Sequence, residues 1–494
     1  MRSTRPAGPN VLAQLDSRPA TAFYWRLTLL STLGGFLFGF DTSNIGSALN
    51  FIPYQLNGFA QGYLVAGASL GAAAGALAAG PLADRLGRKW LLIADAAIYA
   101  LGALLSAFTP DAGVLLVART LIGLAVGGDS AIATAYIAEF APRNRRGALS
   151  ILQQWMITVG ILTAYLAALV ILRIWPGSAG TVDWRVILGL GAVPALIGLT
   201  LRSGMPESPR WLLRHGKYDK LRDALAQLGV DASVGDIEST ARALDEEQAK
   251  VKNRWTPGVR RALVVVCVFF VFQQITGINV PLYYGPKLLG SLFQSGGSTV
   301  SSTIAGVEVT AIMTAVNVAA TYLAFKYIDR IGRRKLAIGG YIGMAAFALV
   351  SAGGLSILSG NARIVVVAIG LDLFIASFAA GVGGTGWLIQ GEVFPTSVRG
   401  QAAAVAAAVD WVANFALVEV FPSWESGVGL AWVMVSFAAL CVLAIVFVFR
   451  FLPETKGHSV EEIISLFERQ ATDSTQPPDR PAGPAGGAPI PSES

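Results

Sequence analysis

The chain has 494 residues, of which 54% are hydrophobic and only 14% charged, a balance that excludes a soluble globular protein and leaves a polytopic membrane protein. Its net charge of +6 does not signal nucleic acid, because Lys and Arg fall mostly in short segments between apolar runs, where they set topology. Cys267 and Cys441 lie inside apolar runs and His215 and His458 outside them; with no zinc, haem or Walker-type pattern, no metal, cofactor or enzymatic site is expected.

The segment 1–22 is Pro-rich and carries Arg2, Arg5 and Arg18, which predicts a cytoplasmic tail. The first apolar run, Phe23 to about Leu49, is too long for a cleaved signal and long enough to cross a bilayer. Within it, Gly34 to Leu49 reads GGFLFGFDTSNIGSAL and holds one carboxylate, Asp41. A charge at a helix centre costs about 2.5–3.5 kcal/mol on insertion scales. Asp41 is therefore expected to be a functional acid facing a polar cavity, with a partner or a proton; the alternative is a protonated carboxyl bonded to a neighbouring helix.

Apolar segments recur at 60–79, 91–108, 113–139, 148–171 and 185–202, completing a six-helix half over 23–202. The polar stretch 203–257 contains KYDKLRDALAQLG and DIESTARALDEEQAKVK, whose helical periodicity amid mixed charge predicts surface helices outside the bilayer. Six further spans follow at 261–289, 303–327, 336–358, 364–390, 401–421 and 428–452, a second half over 258–452. The tail 453–494 turns low in complexity beyond Gln470, which predicts disorder there. The short-loop cations cluster at Arg85/Arg88/Lys89, Arg143/Arg145/Arg146, Lys326/Arg330/Arg333/Arg334/Lys335 and Arg399, while the alternate loops carry little beyond Arg173 and Arg363. The positive-inside rule puts the first set, the central linker and both termini in the cytoplasm, with the protein in a plasma or bacterial inner membrane.

The halves repeat. Asp84-Arg85 with Gly87-Arg88-Lys89 returns 245 residues on as Asp329-Arg330 with Gly332-Arg333-Arg334; Glu139 returns as Glu392, 253 on, and Pro206-Glu207-Ser208 as Pro453-Glu454-Thr455, 247 on. A duplicated six-helix half is the architecture of parallel-repeat transporters, whose substrate site lies between the halves near the midplane.

The segments GPLADRLGRK, RTLIGLAVGG, AEFAPRNRRGAL, PESPRWLL, QQITGINVPLYY, DRIGRRK, GEVFPTSVRG and LPETKG resemble the sugar porter family of the major facilitator superfamily over residues 23 to 466. The resemblance implies an all-α membrane protein of twelve transmembrane helices in two pseudo-symmetric bundles, working as a monomer by alternating access. It implies sugar contacts at Gln154, Gln273, Gln274, Asn279, Asn317 and Trp387, with Phe38, Tyr283, Tyr284, Trp411 and Asn414 nearby. The chemistry agrees: amides both donate to and accept from sugar hydroxyls, and aromatic faces cover the C–H surface of the ring. Amides that only hold helices together are the alternative.

The resemblance also identifies Asp41 as the acid of proton-coupled members and Arg119 as its partner, for which the alternative is a snorkelling cation. It makes Asp84, Arg85, Glu139, Arg146, Asp329, Arg330, Arg333, Glu392 and Arg399 cytoplasmic ion pairs that bias one conformation, or charges that merely set topology. Asp129 departs from the pattern as a possible second acid, of a kind seen in anion-carrying branches, and Asp410 stands where an amide is usual. The expected function is a proton symporter for a monosaccharide or a polyol such as inositol, with substrate, protons and lipid as partners. The alternatives are an organic-anion or phosphate porter and a non-transporting nutrient sensor.

Overall fold

A computed structural model describes residues 11, 22–56, 58–140, 146–250, 255–293, 298–395, 398–458 and 460–473. With no water at its centre, a bilayer leaves backbone N–H and C=O groups to be paired within each crossing segment, so apolar runs become helices. Among the described residues the regular structure is helical, and eleven segments are long and apolar enough to cross a membrane. The Thr32 N–H still bonds to the Thr28 carbonyl, so Ala22–Ser31 and Leu33–Ala48 together make span 1 and bring the total to twelve. Spans 2 to 6 are Gly58–Leu86, Arg88–Ala107, Ala112–Phe140, Arg146–Ile174 and the interrupted Pro176–Ser203. Spans 7 to 12 are Pro257–Leu292, Thr299–Ile331, Arg333–Ile357, Gly360–Val393, Arg399–Val428 and Leu430–Phe451.

Two spans break where the cavity will lie. Span 7 stops at Ile275 and restarts at Asn279. The turn between them holds Gly277 at φ 95°, a conformation that L side chains rarely adopt. The prolines Pro281 and Pro286 sit inside the second piece, so the break falls on the glycine rather than on them. Span 10 widens into a π-helical turn at Ala379–Gly383 before resuming at Gly384. Such turns free carbonyls from the regular ladder.

The linker forms helices Pro209–Arg214, Tyr218–Gln227 and Val234–Lys250. Their apolar faces, through Leu212, Leu221, Leu225 and Ile237, pack against Leu92 of span 3 and Tyr136 of span 4. A final helix, Val460–Asp473, packs against the start of span 7 and buries Ile463 and Phe467.

The three repeated motifs meet in the same way in each half. Gly87 and Gly332 both have φ 102°, and a Cβ on either would strike the carboxylate of Glu207 or Glu454. Those carboxylates cap spans 3 and 9: Glu207 accepts from the Arg88 N–H at 2.9 Å, and Glu454 accepts from the Arg333 N–H at 2.9 Å. Ser208 Oγ donates to Glu139, and Thr455 Oγ1 donates to Glu392 at 2.7 Å. Glu139 also lies 3.4 Å from Arg88, and Glu392 lies 2.6 Å from Arg333. Burial pushes the Glu207 carboxyl up, and the N–H bonds from Ser208, Lys89 and Arg88 oppose that.

The expected cytoplasmic charges have these surroundings. Asp84 pairs with Arg88, because residues four apart share a helix face. Arg330 lies over the Tyr327 ring at 5.9 Å, and Arg399 Nε donates to the Phe394 carbonyl at 3.0 Å. The Arg88–Glu139 and Arg333–Glu392 pairs each join two helices of one half. The side chains of Arg146 and Asp329 fall outside the described residues.

The halves meet mainly through span 2 on span 11, span 5 on span 8 and span 1 on span 7. Among the described residues, polar side-chain contacts between them lie at mid-span or toward the end opposite the basic loops. Ser69 accepts from Asn414 at 2.9 Å, Tyr165 Oη donates to the Leu282 carbonyl at 2.6 Å, Asn50 donates to Thr303 at 3.1 Å, and Arg173 pairs with Glu308.

Candidate functional site

A cavity of about 970 Å³, counted out to its mouth, lies between the halves. The N-terminal half contributes Phe38 and Thr42 from span 1 and Gln153 and Gln154 from span 5. The C-terminal half contributes Gln273, Gln274 and Asn279 from the broken span 7, Asn317 from span 8 and Trp387 from span 10. Span 11 adds Asp410, Trp411 and Asn414.

The amides are fixed by one another before any ligand arrives. Gln274 Nε2 donates to Asp410 Oδ1 at 2.7 Å, and Gln274 Oε1 accepts from Asn279 Nδ2 at 2.7 Å. Asn279 Nδ2 also reaches Asn414 Oδ1 at 2.9 Å, and Asn414 Nδ2 passes the chain to Ser69 in the other half. Gln273 Nε2 donates to the Gly383 carbonyl at 3.0 Å, one of those released by the π-helical turn. Its Oε1, together with Gln153 Oε1 and Trp411 Nε1, has no protein partner, so two acceptors and one donor on cavity-lining residues remain unmatched by protein. Phe38 and Trp411 meet edge to face at 4.8 Å, and Trp387 packs on Phe270 at 5.2 Å. This is an amphipathic wall suited to a polyhydroxylated ring.

Tyr283 and Tyr284, expected near the sugar, do not line the cavity. Counting from the Gly277 break, Asn279 and Leu282 turn inward. Tyr283 is buried with its backbone carbonyl against Gly46 of span 1, and Tyr284 Oη donates to the Val418 carbonyl at 3.1 Å. Gln153 lines the cavity beside Gln154 and was not singled out in the sequence.

Two buried ion pairs flank the cavity in the N-terminal half. Arg119, fully buried, donates Nη1 to Asp41 and Nε to the Leu64 carbonyl at 3.1 Å. Its Nη2 has no partner. Asp41 sits behind Thr42 rather than on the cavity surface itself. The second pair is Asp129 with Arg202, whose Nη1 also donates to the Leu92 carbonyl at 2.8 Å. Asp129 Oδ1 has no partner and lies where a Cβ on Gly34 would be. Asp95 of span 3 borders the same gap. Arg202 and Asp95 were not recognised in the sequence: one closes an apolar run, and the other is a short acid inside one.

The fold agrees with the comparisons to known proteins. The family profile described as "Sugar (and other) transporter" matches residues 27–467. The chain belongs to the sugar transporter family. It is 36% identical to the glucose transporter GlcP of Staphylococcus epidermidis, over 88% of this chain and 95% of that one. It is 34% identical to a D-xylose transporter of Levilactobacillus brevis, over 87% and 93%. The solved structure of the proton:xylose symporter XylE bound to 6-bromo-6-deoxy-D-glucose superposes with a TM-score of 0.75 at 28% identity, covering 91% of this chain and all of that one. This sugar transporter therefore has the major facilitator fold, is a multi-pass membrane protein and is not an enzyme.

Proposed function

We propose that this sugar transporter is a proton symporter for a neutral monosaccharide or polyol, working by alternating access with Asp41 as the coupling acid. The observation that carries the reading is the adjacency of Thr42 on the cavity wall to Asp41 in its buried pair with Arg119. Arg119 answers the Asp41 carboxylate by charge and hydrogen bonding. Protonating Asp41 removes the Coulomb attraction and leaves a buried guanidinium short of an acceptor, so the helix carrying the acid and the helix carrying the arginine favour a different arrangement. Span 1 carries Asp41, Thr42 and Phe38 together, so that rearrangement is felt by the substrate.

In this reading the amides of spans 5, 7, 8 and 11 hold the hydroxyls, and Trp387, Trp411 and Phe38 cover the ring. The basic loops, linker and both termini are cytoplasmic, in the plasma or inner membrane. The latch of Arg173–Glu308, Asn50–Thr303 and Tyr165–Leu282 then closes the outer side, which makes this an inward-facing form. The Arg88–Glu139 and Arg333–Glu392 clusters bias the exchange between forms. An anion porter is disfavoured because, among the described residues, no Lys or Arg lines the cavity and a carboxylate, Asp410, does.

The test is uptake into proteoliposomes of labelled D-glucose, D-xylose and myo-inositol beside gluconate and phosphate, under an inwardly directed proton gradient. Uphill accumulation of a sugar or polyol that a protonophore abolishes is expected. Accumulation of the anions alone, or sugar uptake indifferent to the gradient, contradicts the proposal.

A further inference from the structure

Asp410 is the one ionisable side chain lining the cavity among the described residues, and it is 3% exposed. Its Oδ1 accepts from Gln274, while Oδ2 has no hydrogen-bond partner in the described protein. The polar and aromatic groups that share the cavity with it are neutral: Gln274 and Asn279 from span 7, Asn317 from span 8, Trp387 from span 10, and Asn414, which donates to Ser69 of span 2. Among titratable groups, Tyr341 of span 9, whose hydroxyl is buried without a partner, interacts electrostatically with Asp410 and with Cys441 of span 12. Among the described residues no cation pairs with the carboxylate.

Asp41 and Arg119 neutralise each other, as do Asp129 and Arg202, so an ionised Asp410 leaves the substrate cavity with one uncompensated negative charge. While the cavity holds water, that charge is solvated. A sugar closing the cavity displaces the water, and a carboxylate shut into low dielectric with one amide donor is strongly disfavoured. We infer that Asp410 takes up a proton from solution when a sugar or polyol is occluded, so that the substrate cavity is itself a second proton site beside the Asp41–Arg119 pair. The proton bonds to Oδ2, leaving Oδ1 to accept from Gln274, and the new O–H donates to a substrate oxygen. The inference rests on the reading of this cavity as the substrate site.

The test measures equilibrium binding of D-glucose, D-xylose and myo-inositol to the purified transporter across a range of pH, without any gradient. Affinity of the wild type should fall about tenfold per pH unit on the alkaline limb, the slope for one linked proton. Asp410→Asn should flatten that slope, and Asp41→Asn should keep it. Difference infrared spectra on adding the sugar should show a protonated-carboxyl band in wild type that is lost in Asp410→Asn and kept in Asp41→Asn. Asp410→Gln serves in place of Asp410→Asn should the latter not fold. An unchanged slope in both Asp410 variants overturns the inference. So does tighter binding of D-glucosamine than of D-glucose that is lost in Asp410→Asn, because the carboxylate then stays ionised and takes its cation from the substrate. Failure of the symport reading looks different: wild-type vesicles would not concentrate sugar, while the pH slope of binding persisted.

Discussion

The Glu207 carboxylate accepts the Arg88 backbone N–H at 2.9 Å, closing the N-terminus of span 3 with a group that lies 119 residues downstream in the chain. Glu454 does the same for Arg333 across 121 residues at the start of span 9. A carboxylate there satisfies orphan donors and meets the positive end of the helix dipole. Glu454→Gln should therefore lower the thermal stability of purified protein by the equivalent of about 1 kcal/mol, the usual cost of weakening such a cap. An unshifted melting curve would mean that the cap carries no net stability.

The amide chain of Gln274, Asn279 and Asn414 makes Asn279 its central donor. Asn279→Ala leaves the Gln274 and Asn414 oxygens without that donor, at a cost of about 1–3 kcal/mol. Sugar affinity in detergent should fall about tenfold or more. Gln274→Ala should act similarly. Normal affinity in both would move the sugar elsewhere.

Arg202 is fully buried against Asp129. Removing one partner of a buried pair typically costs about 3–5 kcal/mol, because the other charge is stranded. Arg202→Met should sharply reduce the yield of monodisperse protein, and adding Asp129→Asn should restore much of it. Asp129→Asn alone should be milder. No rescue in the double variant would show that Arg202 acts through its bonds to the Leu30 and Leu92 carbonyls.

Arg173 and Glu308 pair across the halves while largely accessible, at 62% and 34% side-chain exposure. Such pairs contribute about 0–1 kcal/mol, enough for a few-fold change in a two-state balance. Glu308→Gln should raise labelling of a cysteine introduced in the cavity from the outer side, and high salt should do the same to wild type. Equal labelling throughout would remove this pair from the latch.

Much of this was readable because membranes penalise charge. Asp41 and Arg119 stand out in apolar runs for that reason, and the amides around Gly277 mark a helix that cannot stay regular. What escaped depends on three-dimensional phase. Tyr283 and Tyr284 belong to the same sequence motif as Asn279, yet the restart of the helix after Gly277 turns them toward spans 1 and 11. Arg88, outside the expected set of paired charges, meets Asp84 because helix neighbours are four apart. Arg202 looked like the end of a span, and only the packing of spans 3, 4 and 6 shows that it is buried against an acid.

The proposed coupling rests on Asp41, and Asp41→Asn tests it most directly, since it keeps the size and much of the hydrogen bonding to Arg119 while removing the titratable group. In proteoliposomes the variant should lose all accumulation of sugar driven by a proton gradient yet retain counterflow, because exchange needs no net proton movement. Uphill accumulation persisting in Asp41→Asn, or lost only in Asp129→Asn, would contradict the assignment.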